Sequence, residues 1–221
     1  MAEIMFENIA ETIDIEQKKN SCFFEIKKFY DLNNSQEKML EDFVELLLNR
    51  NQNFNFIGNS TISNIWNRHI LDCAQLLKYI EDDNLKFGDF GSGAGLPGII
   101  LSILGLKEIH LIEKSFRKCE FLREAKLISN HKIFVQNSKL EDLKNLEFDC
   151  IISRALAPLP KLLDYSSKFL TKEGFCLFLK GKNLQSEIIE SKKDFNFEYE
   201  LYPSITSQES NIIRLKKISK K

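Results

Sequence analysis

The chain has 221 residues, 43% of them apolar, which suits one substantial core and excludes a disordered or repetitive chain. With 31 basic and 32 acidic residues the net charge is -1, so any hold on nucleic acid must come from a local patch. The opening "MAEIMFENIAETIDIEQ" lacks the basic flank and apolar centre of a secretory signal, and no run approaches the ~20 apolar residues that span a bilayer, so a cytoplasmic protein without membrane contact is expected.

From Ser35, read as an N-cap, "SQEKMLEDFVELLLNR" places Leu40, Phe43, Val44 and Leu47 on one helical face. "NQNFNFIGNS" is polar and aromatic and reads as an irregular connection. In "TISNIWNRHILDCAQLLKYI" the residues Ile62, Ile65, Trp66, His69, Ile70, Cys73, Leu76, Leu77 and Ile80 recur at three- and four-residue steps, the stripe of a core-facing helix.

Past residue 84 short apolar runs alternate with helical segments. Strands are predicted at Lys86 to Phe90, Ile109 to Ile112, Ile133 to Gln136, Phe148 to Ser153, Phe175 to Leu179, Phe197 to Tyr202 and Ile212 to Leu215. Helices are predicted after Pro97, Ser115, Pro158 and Asn183. Only "PSITSQESN" separates the last two strands, too short for a helical crossover, so they should pair antiparallel. The expectation is a helical N-terminal extension over residues 1–83 and an α/β domain over 84–221, packed as one unit, with a Lys-rich end "LKKISKK" that frays. Cys22, Cys73, Cys119, Cys150 and Cys176 form no Cys-x-x-Cys pair; they read as reduced core thiols, and no metal centre is expected.

The stretch "DFGSGAGLPG", residues 89–98, follows the first predicted strand and precedes a helix. Its "DFG" is not that of a protein kinase, since no His-Arg-Asp loop and no upstream phosphate loop accompany it. Gly91, Gly93 and Gly98 suit a nucleotide-binding turn, although their spacing departs from Gly-x-Gly-x-x-Gly, so glycines alone leave NAD open. The core Asp-x-Gly-x-Gly-x-Gly (Asp89, Gly91, Gly93, Gly95) favours S-adenosylmethionine (SAM). An acid at the strand end can reach a cationic amino-acid moiety, directly or through water, whereas it would repel a pyrophosphate. Glu113, ending the next strand, can accept hydrogen bonds from two ribose hydroxyls in either cofactor class.

Three segments in order resemble the RsmG (GidB) family of 16S rRNA guanine-N7 methyltransferases: "DFGSGAGLPG", the upstream "RHILDC" (Arg68 to Cys73) and the downstream "ISRALA" (Ile152 to Ala157). The resemblance implies the class I SAM-dependent methyltransferase fold, Rossmann-like, with a seven-stranded sheet whose last strand is antiparallel. It further implies SAM contacts at Gly91, Leu96, Leu140, Glu141 and Arg154, and a 16S rRNA partner in the small ribosomal subunit or a precursor. The family usually has Asp where Glu113 stands, Ala at Leu140, Ser at Cys73, and Asn-Leu-Thr at Asn55-Phe56-Ile57.

Guanine N7 offers an in-plane lone pair and no proton, so its methylation needs alignment and no general base. Arg154, just past a strand end, could meet the SAM carboxylate or guanine O6 and is the expected positioning residue. His69 reads equally as a core histidine, paired with Asp72 one turn on, or as a substrate contact beside Arg68. For RNA, "EKSFRKCEFLREAK" supplies Lys114, Arg117, Lys118, Arg123 and Lys126 around one helix, and Lys180 and Lys182 should flank the site entrance. Open alternatives are a methyltransferase for another RNA, protein or small molecule, an NAD-dependent oxidoreductase, and a non-catalytic assembly factor.

Overall fold

Strands with two apolar faces build the centre of the molecule. In the computed structural model, which describes residues 2–221 and the side chains from residue 14 onward, seven strands form one sheet in the order β3-β2-β1-β4-β5-β7-β6. They are β1 (Lys86–Phe90), β2 (Glu108–Glu113), β3 (Lys132–Asn137), β4 (Phe148–Arg154), β5 (Leu170–Lys180), β6 (Phe195–Pro203) and β7 (Asn211–Lys220). β1 to β5 run parallel, and β7 lies antiparallel between β5 and β6. Along β5, Phe175, Leu177 and Leu179 enter one apolar cluster while Cys176 and Phe178 enter another, as period-two alternation demands of a strand buried on both faces.

Helices α4 (Gly98–Ile103) and α5 (Phe116–Ala125) supply apolar residues to the first cluster, and α6 (Leu159–Phe169) and α7 (Leu184–Asp194) to the second. Over α4 and α5 lies α2 (Asn34–Phe54), while α1 (Ala2–Lys27) packs on residues 59–71. One continuous cluster joins Phe23, Ile26, Phe43 and Leu47 of these helices to Ile100, Leu122 and the sheet residues Phe87 and Ile109. The order reverses beside β1, whose neighbours are β2 and β4, and a crevice therefore opens at the strands' carboxyl ends.

Five local points of the sequence reading need correction. The sequence pattern did not single out α1, whose described apolar burial is confined to Cys22, Phe23 and Ile26 near its end, too few for a readable stripe. Asn33, not Ser35, caps α2: its side chain accepts from the Gln36 N–H at 2.9 Å while the Gln36 side chain accepts from the Asn33 N–H at 3.2 Å. Ser35 has Lys38 three residues on and cannot close such a box. The helix then runs through Phe54 to a left-handed cap at Asn55 (φ 46°), so the irregular connection starts later than the composition suggests.

Residues 59–79 keep the expected buried stripe but not one regular helix. A 3-10 turn (Asn59–Asn64), a π turn (Trp66–Leu71), the short α3 (Asp72–Ala74) and another 3-10 turn (Gln75–Tyr79) succeed one another. The wide π turn carries Arg68 and His69, a placement such turns often have at functional sites. The Lys-rich end does not fray: Lys220 pairs in register with Phe195, and Lys217 meets Glu198 at 2.8 Å. All five cysteines are free and buried, and burial pushes Cys22, Cys73 and Cys176 up to about 12, which leaves them inert thiols.

Candidate active site

The loop after β1 is folded by its own backbone. Gly91 and Gly93 take left-handed conformations (φ 72° and 56°), which let the N–H groups of Gly91 and Ser92 both reach the Ile112 carbonyl, at 3.0 and 3.2 Å. A Cβ on Gly91 would lie 2.5 Å from Leu156 Cδ1. Glu113, at the end of β2, is buried and locks the loop: its Oε2 accepts from the Gly93 N–H at 3.0 Å and its Oε1 from the Ser115 N–H at 2.8 Å.

Asp89 lies beneath this loop. Its Oδ2 accepts from the Gly98 N–H at 3.1 Å, and a Cβ at Gly98 would come within 2.6 Å of that oxygen. Oδ1 is buried with no hydrogen-bond partner, and burial pushes the carboxyl up to about 7. The carboxylate therefore braces the start of α4 and keeps one acceptor in reserve.

Above the loop opens a cavity of about 550 Å³, with Gly91, Gly93, Glu113, Leu140, Glu141 and Tyr165 in its wall. Of the predicted cofactor residues, Gly91, Gly93, Glu113, Leu140 and Glu141 meet here, and Lys114 joins them at the rim. Asp89, Gly95 and Leu96 do not line it. Asp89 is fully buried, Leu96 belongs to the core cluster, and Gly95 is pressed against Ile99 and Leu122 where α4 meets α5. Glu141 is exposed but held by the Tyr165 hydroxyl, which donates to it and lowers its pKa. The glycine floor and the buried Glu113 fit the nucleoside part of such a cofactor.

A second cavity, of 450 Å³, adjoins the first; Ala155 lines both. Arg154 dominates it. One guanidinium nitrogen donates to the Arg68 carbonyl at 3.0 Å and to Asp72 at 3.3 Å, and the other donates to His69 Nδ1 at 2.8 Å. Because Arg154 can only donate, Nδ1 must accept and Nε2 must carry the ring proton. That proton goes to Thr61 Oγ1 at 2.8 Å, whose own hydroxyl donates to the Gly58 carbonyl at 2.7 Å. Burial, followed by the charges of Arg154 and Arg68, holds His69 down at about 4, in keeping with a neutral ring.

The anticipated His69–Asp72 pair does not form; both residues converge on Arg154 instead. Asp72 also accepts from Gln75 at 2.9 Å and from Thr206 in the β6–β7 turn at 2.7 Å. Lys180 lines the cavity but is paired with Glu187 at 2.6 Å and donates to the Ala157 carbonyl at 3.0 Å, so it braces the 155–158 loop. Lys182 and Arg68 are exposed at the mouth. Arg117 and Arg123 line neither cavity. Sequence reasoning missed Thr206 and Tyr165, which reach the site from distant segments, and Thr61 and Gln75, which lie in the same broken helical segment as His69 and Asp72.

The family model GidB, described as rRNA small subunit methyltransferase G, matches residues 36–215. The chain is 40% identical over 183 residues to the ribosomal RNA small subunit methyltransferase G of Rickettsia prowazekii (strain Madrid E), covering 82% of this chain and 94% of that protein. Among solved structures it resembles a ribosomal protein L11 methylase from Lactobacillus delbrueckii subsp. bulgaricus, with TM-score 0.56, 18% identity, and coverage of 70% of this chain and 79% of the other. It also resembles TYW2 of M. jannaschii in complex with AdoMet, with TM-score 0.50, 21% identity, and coverage of 65% and 72%. With the ends of β1 to β4 meeting at a glycine-floored cavity, and with a family model matched over most of its length, the chain belongs to the GidB family of rRNA small subunit methyltransferases.

Proposed function

We propose that this protein methylates N7 of a guanine in 16S rRNA, acting in the cytoplasm on the small subunit or a precursor. When bound, SAM supplies a methyl group on a sulfonium centre. Gly91 and Gly93 would hold it through backbone contact, Glu113 through its ribose hydroxyls, Leu140 and Glu141 beside the adenine, and Asp89, through water, at its ammonium group.

The observation that carries the reading is the junction of two cavities at Ala155, with Arg154 at the boundary. Every candidate base there is already engaged: His69 uses both ring nitrogens, and Asp72 accepts from Arg154, Gln75 and Thr206. Such a pocket suits an acceptor atom with a free lone pair and no proton to lose, which describes guanine N7. The planar donors of Arg154 can meet guanine O6 beside N7. Arg68 and Lys182, exposed at the mouth, are placed to meet phosphates.

Family membership leaves the nicotinamide alternative without support. The test is incubation with labelled SAM and small subunits lacking the modification, followed by reduction and strand scission of the rRNA. The expected product is 7-methylguanosine at one 16S position; label on another RNA, a protein or a small molecule instead would overturn the assignment.

A further inference from the structure

Beside the cofactor cavity, two phenylalanines stand in solvent, each touched by an arginine. Phe116, in the first turn of α5, is 62% exposed, and Phe54, at the end of α2, is 41% exposed. The Arg117 guanidinium lies 4.9 Å from the Phe54 ring centroid, and that of Arg123 lies 6.0 Å from the Phe116 centroid. Phe54 is not a loose flap. A ladder of rings supports it from the core outward: buried Phe121 to Phe56 at 4.7 Å, and Phe56 to Phe54 at 5.9 Å.

The charges of this face are unbalanced. Among the described residues, the ion pair on it joins Arg50 to Glu124 at 2.8 Å, and no carboxylate reaches Arg117, Arg123, Lys114 or Lys118. The whole chain carries a net charge of -1, so this local excess is not a by-product of a basic protein. Lys114 and Lys118 also line the cofactor cavity, which makes the first turn of α5 the wall shared by that cavity and the exposed rings.

Exposed aromatic faces with planar cations beside them are what unpaired nucleic acid uses, because a base can stack on either and the backbone finds the charges. Duplex RNA keeps its base faces stacked internally and could not use the rings. Resting on the rRNA reading above, the geometry points to a stacking platform for unpaired RNA. Bases of the strand flanking the target guanine lie on Phe116 and on the Arg117–Phe54 stack, and the edge N–H groups of Arg117, with Lys114 and Lys118, meet phosphates between platform and pocket.

The test measures methyl transfer from labelled SAM to small subunits lacking the modification, at varied subunit and salt concentrations, for wild type, Phe116→Ala, Phe116→Trp and Arg117→Gln. Phe116→Ala should raise KM for the subunit by about five- to a hundredfold, leaving kcat and SAM affinity little changed, and Phe116→Trp should restore KM. Arg117→Gln should reduce the slope of log affinity against log salt by about 0.7, one phosphate's worth. Unchanged KM and slope in both variants, with wild type still forming 7-methylguanosine, overturns the platform and leaves the function standing. A wild type that binds SAM yet methylates no subunit overturns both. A change of oligomeric state on Phe116→Ala, seen by sedimentation, reassigns the surface to contact between copies and overturns the platform as well.

Discussion

The two adjoining cavities are built in opposite ways. The cavity proposed for the cofactor takes its floor from the backbone of one glycine loop, locked by a single carboxylate, Glu113, that takes N–H groups of Gly93 and Ser115. The cavity proposed for the acceptor is a side-chain network in which Arg154 of β4 is held by Arg68, His69 and Asp72 from the broken helical segment, itself tied to Thr206 of the β6–β7 turn. A backbone site tolerates variation in the residues around it, whereas a network of single hydrogen bonds depends on each partner. The first kind suits a cofactor common to many enzymes; the second suits an acceptor that only one family must recognise.

Removing Arg154 should separate the two cavities most sharply. Arg154→Ala is expected to lower methyl transfer to small subunits by about a hundredfold or more, since positioning errors of an ångström carry that cost, while SAM affinity by calorimetry stays within severalfold. An equal fall in SAM affinity would mean that Arg154 belongs to the cofactor cavity instead. The converse change, Glu113→Ala, should weaken SAM binding by about ten- to a hundredfold, the range for hydrogen bonds to a charged group. Retained SAM affinity in that variant would remove Glu113 from the cofactor's binding set.

The pH dependence of stability distinguishes the cavities by sign. Asp89 under the cofactor loop has its pKa raised from 3.8 to about 7, so between those values the folded protein binds the proton that the unfolded chain releases, and this contribution is lost as pH rises. His69 in the acceptor network has its pKa lowered from 6.5 to about 4, so its contribution is present above the unfolded value and lost as pH falls toward the folded one. Across about pH 4 to 6.5 the two oppose each other. Asp89→Asn should therefore make Tm climb more steeply with pH in that window than it does for wild type; parallel profiles would contradict the buried, protonated Asp89. The smallest effect is expected at the network's outer edge. Thr61→Val removes the acceptor of the His69 Nε2 proton and should cost about 1 kcal/mol, seen as roughly a fivefold drop in methyl transfer with SAM affinity untouched.

Legibility in the sequence follows how far apart the partners lie. The strands were readable because apolar alternation is a property of consecutive residues, as along β5, and Glu113 was readable because it ends a strand. Asp89 was placed correctly at its strand end, but its burial under Gly98 is a matter of packing that no spacing reports. One of the two readings of His69 paired it with Asp72, because the two are one turn apart. The π turn and the approach of β4 gave both to Arg154, more than eighty residues away.

By itself the sequence determined the alternation of strands and helices, the glycine turn that brings backbone against a nucleoside, and the motifs that mark the family. These are local quantities, set by φ preferences, side-chain volume and period. Only the tertiary structure decided which tautomer His69 adopts, that Lys180 is neutralised by Glu187, that Asp89 keeps an oxygen unpartnered, and that Phe54 and Phe116 remain in solvent. Each of those depends on groups from separate segments competing for the same space and the same hydrogen bonds, and that competition is resolved only when the chain is folded.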